Sequence, residues 1–256
     1  MLDYVKTWGD AESPTILLLH PAGGSRHSWT PHAERLCEEY HVVTVDLPAH
    51  GIHPLEEFSY ERAVEDVGNI LEDSGPAVVA GHSQGGYVAV RVAATYPDLV
   101  DGMLLAGADY NWRKPKMLAV TAAYLPFISV LKAVSHSDRL SGWVADRLGE
   151  SDDPRQKPPE SEDTYGVLHG NATAFRANVL QRTWPHAEAY DGPVMIAHGK
   201  EESLENHAET LAARADAQLA WYAGGHRAPM NNTDEFAGLL WDFLEEVYSE
   251  QRTTFS

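Results

Sequence analysis

Ala77-Val78-Val79-Ala80-Gly81-His82-Ser83-Gln84-Gly85-Gly86-Tyr87-Val88-Ala89-Val90 carries three patterns in succession. The first four residues are an apolar run bounded upstream by Ser74-Gly75-Pro76, which has the length and turn flanks of a buried strand. From Tyr87 to Ala94 the segment is apolar almost all round until Pro97 stops it, which reads as a buried helix. Between them stands Gly-x-Ser-x-Gly. A strand, this motif and a helix in that order form the context of a nucleophile elbow. The glycines permit a sharp turn where a Cβ would clash, and the turn lifts the Ser83 hydroxyl clear of the sheet edge. The helix N-terminus behind it points backbone N–H groups at developing negative charge.

Working outward, Thr15-Ile16-Leu17-Leu18-Leu19 is a continuous apolar run, expected as a strand buried on both faces. It leads into the small-residue loop His20-Pro21-Ala22-Gly23-Gly24-Ser25. Small side chains let a backbone N–H approach a substrate oxygen closely, so Ala22 is the candidate for one oxyanion donor. Pro31 to Tyr40 reads as a helix, His41 to Asp46 as a strand, and Leu47-Pro48-Ala49-His50-Gly51 as a turn. Ser59 is placed to cap a helix whose apolar positions run from Tyr60 to Leu71. Further strands are expected at 102–107, 193–197 and 218–222, with a short edge strand at 4–8. The last helix places Phe236, Leu239, Leu240, Phe243, Leu244 and Val247 on one face. Strands alternating with helices predict an α/β fold: a mostly parallel, twisted sheet with helices on both faces. Ligands in such sheets bind at the carboxyl ends of the strands, where Ala22 and Ser83 both fall.

The alternation lapses between Asp109 and about Tyr190. Helical patterns at 117–134, 140–148 and 172–180, with an acidic, proline-rich loop at 150–163, predict an inserted helical cap. The expected organisation is therefore a core of residues 1–109 and 190–256 with a cap at 110–189. Trp112, Tyr124, Phe127, Trp143, Phe175 and Trp184 are among its aromatic residues, most of them expected in the cap core and the others as candidates to line an apolar pocket.

Length and composition narrow the function classes. The chain has 256 residues, enough for one large α/β domain, and its 43% hydrophobic content is ordinary for a packed globule. The 38 acidic and 19 basic residues give a net charge of −19, a surface that repels nucleic acid and anionic lipid. A single cysteine, Cys37, allows no intrachain disulfide. The first ten residues lack a basic region followed by an apolar core, and the apolar tract at 117–131 falls short of the roughly 20 residues of a membrane span. A soluble, cytoplasmic protein acting on a small molecule is the expectation. Thirteen histidines raise the question of a metal, but no His-Glu-x-x-His pair occurs, and none is expected.

A serine hydroxyl needs an adjacent base, and the base needs a carboxylate to fix its tautomer. His226, in a glycine-flanked loop after the last strand, is the candidate base. Glu202, after the preceding strand, is the favoured acid; Asp109 is the alternative and Glu201 ranks third. The order Ser83, Glu202, His226 is the Ser…Asp/Glu…His order of one fold class. The backbone N–H of Gln84 is the second candidate oxyanion donor.

His20-Pro21-Ala22-Gly23-Gly24, Asp46 to Gly51, Gly81 to Gly86, His198-Gly199-Lys200-Glu201-Glu202 and Gly225-His226 together resemble the successive signatures of the α/β-hydrolase superfamily, in particular its small, capped, esterase-like branch. The resemblance covers the chain outside the cap. It implies a Ser–acid–His triad with neither metal nor organic cofactor. Three positions depart from the family's usual pattern: Pro21 where His-Gly is usual, Ala49 for a glycine, and a glutamate for the common aspartate. The leading expectation is hydrolysis of a small carboxylic ester or lactone through an acyl-serine. Thioester hydrolysis, carbon–carbon bond hydrolysis and hydroxynitrile cleavage use the same constellation, and a slow-turnover binding sensor is the reading from another class.

Overall fold

Apolar runs long enough to be buried on both faces make the middle of the sheet. The computed structural model describes residues 2–55, 57–109, 184–202 and 207–254 continuously, and 119, 130, 153–159, 170, 173–174 and 177 besides. Its strands are β1 (Val5–Trp8), β2 (Thr15–Leu19), β3 (His41–Val45), β4 (Ala77–His82), β5 (Val100–Ala106), β6 (Val194–Gly199) and β7 (Gln218–Tyr222). They form one sheet in the order β1-β3-β2-β4-β5-β6-β7. β1 runs antiparallel on the edge of β3, and the other pairs are parallel. Every residue of β2, β4 and β6 is buried, whereas β1 is half-buried throughout, as an edge strand is.

The two-residue side-chain period divides the core into two layers. Leu17, Leu19, Val79, Met103 and Leu105 face α2 (Tyr60–Ser74), α3 (Gln84–Thr95) and α5 (Ala208–Arg214). Ile16, Leu18, Val78, Ala80, Leu104 and Ala106 face α1 (Thr30–Leu36) and the long α7 (Thr233–Thr254). The short helices α4 (Trp184–Ala187) and α6 (Ala228–Asn231) complete the described set. Ser59 caps α2 as expected, its side chain accepting from Arg62 N–H at 3.1 Å. Tyr248 pins α7 across the sheet: its hydroxyl donates to the Thr15 carbonyl at 2.6 Å and accepts from Val78 N–H at 3.2 Å.

The chain leaves β2 for β3 on one side and β4 for β5 on the other. The loops after these two adjacent strands therefore diverge and open a crevice at their carboxyl ends, the position where open parallel sheets bind ligands. The expected cap lies largely outside the described residues. Of it, a 3-10 turn at Pro154–Gln156 and helical residues 119, 130, 170, 173–174, 177 and 184–187 are described.

Candidate active site

Ser83 sits between the end of β4 and the start of α3 with φ 52° and ψ −113°, a left-handed conformation that side chains other than glycine rarely adopt. Its neighbours hold it there. Ser83 N–H donates to the Ala106 carbonyl at 2.7 Å. Helix α3 approaches β2 so closely that a Cβ at Gly85 would lie 2.1 Å from the Leu19 carbonyl oxygen. This strain, enforced by packing on both sides, is a feature of functional turns.

The Ser83 hydroxyl meets His226, with Oγ to Nε2 at 3.0 Å. On the far side of the ring, Nδ1 lies 3.1 Å from Oε2 of Glu202. The carboxylate is only 3% exposed, while the imidazole is 33% exposed. Strand order explains the meeting. β6 and β7 are neighbours, and their following loops are joined by hydrogen bonds from Lys200 N–H to the Tyr222 carbonyl and from Glu201 N–H to the Gly224 carbonyl, each 3.0 Å. Glu201 itself is exposed.

Asp109, the alternative acid, is fully buried and engaged elsewhere. Its Oδ1 lies 2.7 Å from His198 Nδ1, and its Oδ2 accepts from His207 N–H at 3.0 Å. Burial first, then the charges of Glu202 and Asp109, push the Tyr222 phenol above its ordinary range, which keeps it neutral.

Ala22 lies in the loop after β2, and Gln84 opens α3; β2 and β4 pair with Leu19 opposite Gly81, so both loops start at the same level of the sheet. Among the described residues neither backbone N–H has a hydrogen-bond partner. His20 shapes the first loop. Its Nε2 accepts from Leu47 N–H at 3.0 Å, and its Nδ1 donates to the Pro21 carbonyl at 2.8 Å. Burial depresses its pKa to about 4, which keeps the ring neutral with the proton on Nδ1.

Asp46 anchors the same loop from β3. It accepts from Arg26 N–H at 2.6 Å and Ile52 N–H at 3.0 Å, and pairs with the Arg26 guanidinium. A Cβ at Gly51 would run into this carboxylate, and Ala49 in the same turn takes φ 66° despite its side chain. Ala49 thus keeps the backbone shape that a glycine would adopt without strain.

Residues 16–239 match the model of the alpha/beta hydrolase family. The Escherichia coli O7:K1 protein named "Putative carbamate hydrolase RutD" is 27% identical, with 93% of each chain covered. In three dimensions the chain is similar to a carboxylesterase of the thaumarchaeon Nitrososphaera gargenis (TM-score 0.74, 19% identity, 96% of this chain and 95% of the other). It is similar to the same degree to an esterase of Thermogutta terrifontis (TM-score 0.74, 22% identity, 95% and 93%). These likenesses in structure speak for the fold, and the family match covers nearly all of it. The chain is a member of the alpha/beta hydrolase family.

Proposed function

We propose that the chain hydrolyses a small carboxylic ester or lactone through an acyl-Ser83 intermediate. The observation that carries this reading is the continuous line from Ser83 Oγ to His226 Nε2 and from His226 Nδ1 to Glu202, at 3.0 and 3.1 Å. In the first half-reaction His226 takes the hydroxyl proton as Ser83 attacks the acyl carbon. The resulting imidazolium is stabilised by the buried Glu202 carboxylate. The backbone N–H groups of Ala22 and Gln84 receive the oxyanion, and His226 then returns the proton to the leaving alkoxide. Water repeats the sequence on the acyl-enzyme and frees Ser83. Residues 110–189 are taken as the cap that selects the substrate.

Carbamate hydrolysis is the second reading, favoured by the RutD relative with its matching length. The same attack at a carbamate carbonyl gives a carbamoyl-serine, which deacylates more slowly because nitrogen donates into the carbonyl.

The test is a burst assay with p-nitrophenyl esters from acetate to decanoate and with a p-nitrophenyl carbamate, run beside Ser83→Ala. Serine-dependent ester turnover supports the first reading, and faster carbamate turnover supports the second. Turnover that survives Ser83→Ala would refute both.

A further inference from the structure

The residue preceding the nucleophile carries a second imidazole. His82 ends β4 and is 1% exposed. Its Nε2 lies 2.7 Å from the main-chain carbonyl oxygen of His226, and the two imidazole centroids are 4.9 Å apart at 45°. A carbonyl oxygen only accepts, so Nε2 carries the proton and donates. Its Nδ1 is buried and has no hydrogen-bond partner among the described residues. The contact bridges 144 residues of sequence and joins the strand of the nucleophile to the loop of the base.

Gly107 completes this seat. It takes φ 55°, its N–H donates to the Ala197 carbonyl at 3.0 Å, and a Cβ built on it would lie 3.0 Å from His226 Cε1 and Nδ1 and 3.7 Å from His82 Cδ2. The backbone of Gly107 therefore lies against the edges of both imidazoles. The His226 loop has its own ties to β6 through Gly224, as described above, but those set its distance from Glu202. The bond from His82 comes from the residue next to Ser83.

Resting on the proposed serine-hydrolase reading, we propose that His82 is a positioning residue, whose Nε2–H fixes the His226 main chain so that the base meets the Ser83 hydroxyl. Neutrality suits this role. Burial, and next the neighbouring His226, hold the His82 pKa well below its ordinary value. An uncharged ring can sit beside His226 while the imidazolium forms there without opposing it.

The test compares two variants of similar shape, His82→Gln, which keeps an N–H near the Nε2 position, and His82→Met, which has none. With p-nitrophenyl acetate as the probe, His82→Met should lose about ten- to a hundredfold in kcat, with KM changed by less than about twofold. His82→Gln should stay within about threefold of the parent. Equal kcat in the two variants would overturn the proposal. Side-chain nitrogen NMR of the unmodified protein gives an arm independent of turnover: His82 should show a neutral Nε2–H ring from pH 5 to 8. An Nδ1–H ring, or titration in that range, overturns the proposal even where the parent is fully active. A parent without Ser83-dependent turnover, but with the expected His82 spectrum, would sink the hydrolase reading instead.

Discussion

Glu202→Gln separates the two candidate acids more sharply than any other change. Glu202 approaches His226 Nδ1 at 3.1 Å and is nearly fully buried, so solvent does little to screen the pair. Taking the carboxylate and imidazolium charges as about 4 Å apart at an effective dielectric constant near 20, their attraction is about 4 kcal/mol. Loss of that attraction in the transition state corresponds to about three powers of ten in rate. A glutamine can also present its own N–H to Nδ1, which leaves the proton on Nε2 and denies Ser83 its acceptor. Together these effects place the loss of kcat near 10⁴-fold, the scale seen when a triad acid becomes its amide. KM should hardly move, because the acid does not touch substrate. Asp109→Asn should cost less than about tenfold in kcat, since both Asp109 oxygens are engaged by His198 and His207 rather than by His226. The assay is steady-state turnover of p-nitrophenyl acetate for the parent, both single variants and Ser83→Ala, with circular dichroism to verify folding. A well-folded Glu202→Gln enzyme within tenfold of the parent, alongside a severe loss in Asp109→Asn, would refute the assignment and transfer the role to Asp109.

Gly107→Ala should lower kcat by about tenfold or more, since the new methyl meets the His226 ring and the positive φ adds strain; turnover at matched folded fraction checks it. Gly85→Ala should destabilise the protein by about 3 kcal/mol or more, because the Cβ meets the Leu19 backbone, read as a fall in the urea midpoint. Asp46→Ala leaves the Arg26 guanidinium buried without its carboxylate and should cost about 3–5 kcal/mol, again by urea unfolding. Acid should destabilise the fold through His20 and His32, whose burial depresses their pKa values to about 4 and about 3. The unfolded chain binds these protons near pH 6.5 and the folded chain only below 4, so stability falls as pH drops between those values. Each ring contributes about 2 kcal/mol of loss between pH 7 and 5, and His32→Phe should remove its share of the slope; an unchanged slope would count against the assignment.

Reading the sheet from sequence worked where burial on both faces removed ambiguity. Thr15 to Leu19 and Val194 to Ala197 have no polar face to confuse with a helix, and the structure buries every residue of both, extending the second strand through His198 to Gly199. The elbow was legible for a related reason. Gly81 and Gly85 are needed by close backbone contacts that any other residue would obstruct, so the motif records a packing constraint as well as chemistry.

The sequence favoured Glu202 but kept Asp109 as the alternative, and the reason is geometric. Each lies three residues beyond the end of its strand, Asp109 after Ala106 in β5 and Glu202 after Gly199 in β6. Sequence offset is thus the same for both. What distinguishes them is which strand borders β7, whose loop carries His226, and which carboxylate already has other donors. The first depends on sheet order and the second on a contact between residues 89 positions apart, His198 and Asp109. The contact beside His226 was not read from sequence for the same reason: Gly107 looks like any strand-end glycine, and only the fold brings it against the His226 ring. Local signals therefore marked Ser83 as the candidate nucleophile, because the strand, turn and helix of its elbow are consecutive in sequence. They favoured Glu202 as the candidate acid without showing its contact, because Glu202 and His226 stand on two loops that only the strand order makes neighbours.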